Sequence, residues 1–356
     1  MKSRNRRKVG NGRVCLGIAL IAGVLCCGCR QADITRITGT DTAMGTIIRM
    51  DLYVAEQSGE NDERDYRGEI MELIRALEAE ELSWRIETSQ TAEINKAAGK
   101  EEGAAVSTRV GEYLQQILEL SEQSEGALDV TVGIISRLWD IDTWALEQRE
   151  EDVSFEPPSR EDISQALQYT GYQAVRLEED RVYLPQGMSI DMGAVGKGIT
   201  CDRIAEYLCT DDCIRGAVIS VGGSIVTWGA KPDDSPWRVA IAHPRENGEY
   251  LGILTLRGER YVSTSGDYER YVEQNGVRYH HIMDPSTGYP ADSGLSSVTI
   301  ISDSGLLSDA LSTACFVLGA DRGMALAETY GADALFVGAD GTLYMTEHMK
   351  EIFAPQ

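Results

Sequence analysis

Residues 217–256 read AVISVGGSIVTWGAKPDDSPWRVAIAHPRENGEYLGILTL. Four short runs in this stretch are rich in β-branched and aromatic residues, and Gly, Pro, Asp or Asn separates them. They predict strands at residues 217–221, 225–228, 237–242 and 251–256. Because strand follows strand with no helix between them, the stretch predicts antiparallel pairing rather than a regular alternation of parallel strands and helices.

The flanking sequence adds helices around this sheet. Helical spacing of apolar residues predicts helices over 66–82, after Ser107, after Ser159, and over 303–318 and 322–330. Further strands are predicted at 46–54, 174–177, 181–184 and 298–301, with a closing hairpin at Asp340-Gly341. The acidic stretch 144–158, which ends in Pro-Pro, predicts a surface excursion. The predicted fold is α+β, a largely antiparallel sheet core with flanking helices, in one domain over 41–350 or two intimately joined lobes.

Charge and composition exclude several classes of protein. The 356 residues carry 57 acidic and 33 basic side chains, a formal net charge of -24. Nucleic-acid binding needs clustered Lys and Arg, so we expect no nucleic-acid partner. The hydrophobic content of 42% and mean hydropathy of -0.23 are typical of a globular protein.

The first thirty residues form a separate segment. Six basic residues precede the apolar run 14–25, which is typical of a signal peptide and too short to span a bilayer of roughly 30 Å. Small residues then precede Cys29, which resembles the lipobox of bacterial lipoproteins, although Leu25 stands four places before Cys29 rather than three. We expect a signal peptide over 1–28, lipid modification of Cys29, a linker over 29–40, and export to the extracytoplasmic face of a bacterial membrane. Ordinary cleavage and release is the alternative.

A glycine-rich loop precedes a predicted helix at residues 191–198, which read DMGAVGKG. Glycines before a helix let main-chain N–H groups approach a phosphate, and Lys197 adds a positive charge. Asp191 and Gly198 depart from the Walker A pattern, and no Rossmann glycine fingerprint follows a strand. A plain tight turn between strand and helix explains the loop equally well.

Asp309 and Thr313 are spaced to share one face of the 303–318 helix. Two hard oxygens so placed suit Mg²⁺, which takes few protein carboxylates and completes its shell with water and phosphate. The alternative is a solvated Asp309 with Thr313 bonded back to its own helix.

His280 and His281 precede a turn at Asp284-Pro285. An imidazole that titrates near neutrality can act as a general base, and His281 is placed at the mouth of this loop. A histidine pair at a strand end is otherwise a common surface feature. Ser265 lacks the G-x-S-x-G pattern of a serine hydrolase.

The order of the motifs is more specific than any one of them. In sequence order, the motifs are Met44-Gly45-Thr46, Ser124 to Asp129 with Thr131 to Gly133 and Leu138-Trp139, Asp191 to Gly198, Val221 to Gly223, Thr264 to Tyr268, His280 to Pro290, and Asp309 to Thr313. Over roughly residues 35–350, this series of motifs resembles the FAD:protein FMN transferase family, the ApbE flavin transferases.

The resemblance implies a Mg²⁺-dependent enzyme that transfers FMN from FAD through a phosphoester to a Thr or Ser hydroxyl of an acceptor protein, releasing AMP. It implies His281 as the catalytic group and a Mg²⁺ site formed by Asp309, Thr313 and the carbonyl of Ala194. The implied FAD contacts are Met44, Arg85, Ala127, Leu128, Asp129, Asp191, Lys197 and Met283.

One column departs from the family pattern. The family usually has an aromatic residue two places after Ser83, where this chain has Arg85, with Trp84 one place earlier. The alternatives to transfer are an FAD pyrophosphatase that yields FMN and AMP, and a flavin-binding lipoprotein without turnover.

Overall fold

The computed structural model describes residues 33–55, 64–150 and 154–356. Within these ranges the strands are β1 Ile34–Ala43, β2 Thr46–Ala55, β3 Ala104–Ala105, β4 Arg176–Glu178, β5 Arg181–Tyr183, β6 Ile214–Val221, β7 Ser224–Gly229, β8 Trp237–Ala242, β9 Tyr250–Leu256, β10 Arg260–Gly266, β11 Tyr271–Gln274, β12 Val277–His280, β13 Leu295–Ser302, β14 Asp333–Gly338, β15 Leu343–Met345 and β16 Phe353–Pro355.

The helices flank the largest sheet and its connections. They are α1 Tyr66–Leu77, α2 Gln90–Lys96, α3 Thr108–Gln123, α4 Gly133–Trp139, α5 Ile141–Glu150, α6 Arg160–Leu167, α7 Gly196–Cys209, α8 Gly305–Leu318, α9 Ala320–Thr329 and α10 Glu347–Ile352. A π-helical turn, Glu78–Leu82, extends α1, and a 3₁₀ turn covers Tyr172–Ala174. In the described part of the chain, no helix is both long and apolar enough to cross a membrane.

An eight-stranded sheet in the order β1-β2-β6-β7-β10-β13-β14-β15 forms the centre, and every neighbouring pair is antiparallel. Smaller antiparallel sheets pair β16-β9-β8, β3-β5-β4 and β11-β12. The predicted α+β fold with a largely antiparallel sheet core is therefore confirmed.

The two faces of the large sheet bury different partners. Val298 and Ile300 of β13 pack in the cluster that includes α3, α8 and α9, whereas Ile301 packs with residues of β8 and β9. Alternate residues of a strand face opposite sides, so β10 likewise turns Ser263 and Ser265 toward α8 and Val262 away from it. Residues 33–356 form one compact unit.

Two predicted boundaries differ from the structure. The linker predicted over 29–40 is strand from Ile34 onward, because β1 pairs with β2 along its whole length. The surface excursion predicted over 144–158 is wrong, since α5 occupies its first part and Phe155 is only 1% exposed. Trp144 packs edge-on against Phe155, with ring centres 5.4 Å apart, so this acidic stretch carries a small aromatic core. The predicted signal peptide and Cys29 lie outside the described residues.

Candidate functional site

The glycine-rich loop is tied to two other parts of the chain. The N–H of Asp191 donates to the carbonyl of Val130 at 2.7 Å, which places the loop beside the 127–129 segment. The Asp191 carboxylate accepts from the N–H of Gly193 at 2.9 Å and shapes the turn before α7. Met44 lies on the other side, against the first residue of α7, where a β-carbon at Gly196 would be 3.7 Å from Cε of Met44.

Helices α7 and α8 cross with their backbones in contact. A β-carbon at Gly198 would lie 2.0 Å from the carbonyl oxygen of Gly305, and one at Gly305 would lie 2.2 Å from the carbonyl oxygen of Gly198. Real β-carbons never approach so closely, so only glycine permits this crossing. The crossing brings Asp309, one turn after Gly305, to the first turn of α7.

Asp309 is the central carboxylate of the site. It is 2% exposed, so the alternative of a solvated Asp309 is wrong. Its Oδ2 accepts from the N–H of Gly198 at 2.9 Å, its Oδ1 accepts from the hydroxyl of Ser224 at 3.2 Å, and Nζ of Lys197 lies 3.7 Å from Oδ1. A buried carboxylate needs such partners, because desolvation disfavours its charged form.

The donor set fits a magnesium ion. The N–H of Gly198 would pair with the carbonyl of Ala194 in a continuing helix, but it donates to Asp309 instead. Within the described ranges no N–H donates to the Ala194 carbonyl. Thr313 is half-buried on the Asp309 face of α8, and its hydroxyl contacts that of Ser265 at 3.3 Å. One carboxylate, one hydroxyl and one carbonyl are the few hard oxygens that Mg²⁺ takes from a protein. Over the same described residues, no three His, Cys, Asp or Glu side chains form a metal cage.

Lys197 would compete with any cation bound at Asp309, because its ammonium group lies 3.7 Å from the carboxylate. Replacing it in Lys197→Met is expected to strengthen divalent-ion binding without FAD by about fivefold, because the competing charge is removed. The same variant should weaken FAD binding about tenfold, because the diphosphate loses a charged donor. Calorimetric titrations with Mg²⁺ and with FAD measure both effects. Lys100→Met, at an exposed lysine, is the control; unchanged Mg²⁺ affinity in Lys197→Met would exclude the competition.

His281 stands at the end of β12, and its neighbour faces the other way. The ring of His280 is buried, contacts the carbonyl of Ala291 through Nε2 at 2.9 Å and meets Phe316 edge-on. The Nδ1 of half-buried His281 lies 3.2 Å from the carbonyl of Arg270. A carbonyl only accepts, so the proton is on Nδ1 and Nε2 is free to accept another.

The charges around His281 suppress its protonation. Burial, together with Arg270 and Lys197, lowers the pKa of His281 to about 3, against the opposing effect of Asp142. This pKa lies below the near-neutral titration expected from the sequence. His281 is neutral, the form a base requires, over the whole range in which proteins are ordinarily assayed.

Trp84 and Arg85 stack on one another. The guanidinium of Arg85 lies 4.2 Å from the Trp84 ring centre and that of Arg137 lies 4.7 Å from it. The carboxylate of Asp142 accepts from Arg85 at 3.1 Å and from Arg270 at 3.1 Å. Burial opposes the charged form of Asp142, but Arg270 and Arg85 hold its pKa below the usual value.

The other predicted FAD contacts differ in what they expose. Ala127 and Leu128 are buried, so this segment can offer a ligand chiefly its main chain. Asp129 is also buried, and its carboxylate accepts from the N–H of Thr131 and that of Tyr172, both at 2.8 Å. Met283 packs in the small aromatic cluster around Trp139.

Several residues at the site were missed from the sequence. Arg137 contacts Trp84, and Asp142 joins Arg85 to Arg270. These contacts connect segments that are distant in sequence, so the spacing of residues along the chain does not predict them. Glu269 lies over the Gly222-Gly223 turn, where a β-carbon at Gly223 would be 2.7 Å from Oε1. Burial raises the pKa of Glu269, and Lys197 and Arg270 oppose that rise. In the sequence, Gly223 was the available signal for this contact, because a residue without a β-carbon lets another side chain approach the main chain closely.

Comparisons with known proteins agree on one family. The model of the ApbE family matches residues 44–336. An FAD:protein FMN transferase of Vibrio cholerae is 31% identical over 323 residues, which cover 90% of this chain and 92% of that protein. One of Treponema pallidum is 32% identical over 340 residues, covering 92% and 91%. The crystal structure of the ApbE protein from Thermotoga maritima superposes with a TM-score of 0.77 at 32% identity, covering 89% of this chain and 99% of that one.

Proposed function

The chain belongs to the ApbE family, and from this premise we propose that it transfers FMN from FAD to an acceptor protein. The relatives named FAD:protein FMN transferase align with almost the whole of it, so the proposal concerns a complete transferase domain rather than a shared fragment.

The proposed reaction exchanges the phosphoanhydride bond of FAD for a phosphoester bond to the acceptor. The oxygen of a Thr or Ser hydroxyl on the acceptor attacks the phosphorus that carries the flavin half of FAD. The bond from that phosphorus to the bridging oxygen breaks, AMP leaves with the bridging oxygen, and the hydroxyl proton passes to a base. Phosphoryl transfer asks a protein chiefly for positioning and charge neutralisation.

The site residues divide these tasks. Lys197, at the start of α7, would face the diphosphate, and Nε2 of His281 would receive the hydroxyl proton. Asp191, Met44, Arg85 and the main chain of 127–129 surround the nucleotide. Mg²⁺, held by Asp309, Thr313 and the Ala194 carbonyl, would neutralise developing charge on the diphosphate.

The observation that carries the proposal is the buried Asp309 beside Lys197 at the first turn of α7. A carboxylate and an ammonium group 3.7 Å apart at a helix N-terminus bring together a cation ligand and a phosphate ligand. The chain has a net charge of -24. This pairing provides a local site at which the dianionic diphosphate of the substrate can bind.

The test is to incubate the full chain with FAD, Mg²⁺ and candidate acceptor proteins carrying exposed Thr or Ser segments. Transfer yields a fluorescent acceptor band on a denaturing gel and one AMP per flavin attached. A pyrophosphatase instead releases free FMN and AMP in equal amounts without labelling the acceptor. A flavin-binding lipoprotein retains FAD intact, and either of these results would contradict transfer.

The proposed location is the extracytoplasmic face of a bacterial membrane, through a lipid on Cys29. The basic leader, the short apolar run and the small residues before Cys29 support it. Cys29→Ser is expected to move the protein from the membrane fraction to the soluble fraction, and mass spectrometry of the wild type should find an acylated Cys29 at the N-terminus. An unmodified N-terminus at another residue would contradict the anchor.

A further inference from the structure

Buried hydroxyls join β10 to α8 beneath the candidate cation site. Ser263 and Ser265 of β10 face Ser308 and Ser312 of α8, and all four are at most 8% exposed. The hydroxyl oxygens lie 2.9 Å apart in the Ser263–Ser308 pair and 2.8 Å apart in the Ser265–Ser312 pair. These four residues form two rungs, which we term the serine ladder.

Each rung continues to one of the side chains that would hold the cation. From the first, the hydroxyl of Ser263 donates to that of Ser224 at 3.2 Å, and Ser224 donates to Oδ1 of Asp309 at 3.2 Å. From the second, the hydroxyl of Ser265 lies 3.3 Å from that of Thr313. Both oxygen ligands of α8 therefore rest on hydroxyls of the sheet.

The spacing of the rungs fits both elements. Two residues along a strand advance about 6.7 Å, and four residues along a helix advance about 6 Å. Rungs at 263 and 265 on β10 therefore meet 308 and 312 on α8. The ladder requires one side of α8 to face β10, and in that orientation Asp309 contacts the first turn of α7 while Thr313 contacts Ser265.

The glycine contact between α7 and α8 fixes where the two helices cross, and the hydroxyl pairs add a constraint on which side of α8 faces β10. Most of the other residues of α8 are apolar. Apolar contacts have no preferred direction, so alanine side chains at the four serine positions would be buried equally well but would not select one orientation of the helix. Buried hydroxyls lower stability unless they are paired, and here each one has a partner. Ser263 donates to Ser224 and Ser224 donates to the carboxylate of Asp309, while the hydroxyls of Ser308 and Ser312 also contact the carbonyls of Gly305 and Asp309 in their own helix.

We propose that the serine ladder and Ser224 are positioning residues that hold Asp309 and Thr313 in place for a divalent cation. The inference rests on the proposed function, since it needs the cation site to exist. It extends that function by assigning the geometry of the site to five hydroxyls that do not touch the cation themselves.

The test measures cation binding without FAD. Mn²⁺ is titrated into the full chain and the free ion is followed by electron paramagnetic resonance, with Mg²⁺ as competitor. Ser263→Ala and Ser265→Ala are each expected to weaken Mn²⁺ binding about tenfold, the loss typical when an outer partner of a metal ligand is removed. Two variants at separate rungs keep the test open if one of them does not fold.

Thr264→Val is the matched control. Thr264 lies between the two serines on β10, and its hydroxyl contacts that of Thr299 at 2.8 Å on the opposite face of the sheet. Its replacement also removes a hydroxyl pair, so the melting temperature should fall by a similar amount while Mn²⁺ affinity stays within twofold of wild type. A purely structural role for the ladder would give equal Mn²⁺ affinities at equal losses of melting temperature.

The outcomes separate this inference from the proposed function. If the wild type binds Mn²⁺ and the serine variants bind it equally well, or Thr264→Val weakens it as much, the positioning role is overturned and FMN transfer stands. If the wild type binds no Mn²⁺, or binds Mn²⁺ that Mg²⁺ does not displace, the proposed cation site and this inference both fail. Transfer by the wild type is assayed in parallel and decides the proposed function itself.

Discussion

Asp309→Ala is expected to abolish Mg²⁺-dependent FMN transfer while leaving the protein folded. Asp309 supplies the one formal negative charge among the three oxygen donors assigned to the cation. Without it, the hydroxyl of Thr313 and the carbonyl of Ala194 are neutral ligands that hold a divalent ion weakly. We expect a loss of at least a thousandfold at fixed free Mg²⁺, measured as acceptor labelling and AMP release.

A second substitution at the same position separates charge from structure. In Asp309→Asn the amide oxygen can still accept from the N–H of Gly198, so the α7–α8 crossing keeps its hydrogen bond while the charge is lost. It should transfer as poorly as Asp309→Ala but melt closer to wild type. Thr313→Val should weaken Mg²⁺ binding less, because it removes a neutral donor. The assignment is falsified if Asp309→Asn retains wild-type transfer.

His281→Ala is expected to reduce transfer by roughly a hundred- to ten-thousandfold, the usual contribution of a positioned base. In the proposed mechanism, Nε2 of the neutral ring receives the proton of the acceptor hydroxyl. FAD binding should change only a few-fold, because the proposed FAD contacts are Lys197, Asp191 and other residues apart from His281. Single-turnover labelling of an acceptor at saturating FAD measures the loss, and calorimetry measures FAD affinity.

His280 provides a comparison that the structure sharpens. Its ring is buried against Phe316 and Ala291, so His280→Ala should lower the melting temperature more than the transfer rate per folded molecule. Equal losses of transfer in the two variants, after correction for folded fraction, would remove His281 from the mechanism.

The pH dependence follows from the lowered pKa of His281. Neutral imidazole is the active base, so activity persists above the pKa and is lost below it. The acid limb of kcat/KM, which reports the free enzyme, should lie below the ordinary histidine range. Bound FAD brings negative charge toward Lys197, which raises the pKa, so the acid limb of kcat should lie at higher pH. The His281→Ala variant should lack both limbs.

Local patterns predicted much of this fold. Alternating apolar residues located β6, β7, β8 and β9, and Ser107 and Ser159 do cap α3 and α6. The helix α5 was missed because its apolar face is short, formed by Ile141, Trp144 and Ala145 in an acidic sequence, and its buried partner Phe155 follows in a separate segment.

The site was predictable where its parts share one element. The four-residue spacing placed Asp309 and Thr313 on one face of α8. The groups that this face of α8 contacts come from distant parts of the chain: the N–H of Gly198 donates to Asp309, 111 residues away. The close crossing of the helices at Gly198 and Gly305 permits this hydrogen bond. The pairing of Arg85 and Arg270 through Asp142 is equally long-range, so residue type and spacing did not reveal it.

The ion pair between Lys197 and Asp309 has a consequence for folding in the absence of ligands. The ammonium group of Lys197 lies 3.7 Å from Oδ1 of Asp309, so this buried carboxylate has a positive partner within the chain itself. The fold therefore does not depend on a metal ion to balance this carboxylate. In the proposed function, Mg²⁺ binding would exchange one positive charge for another in a protein that is already folded.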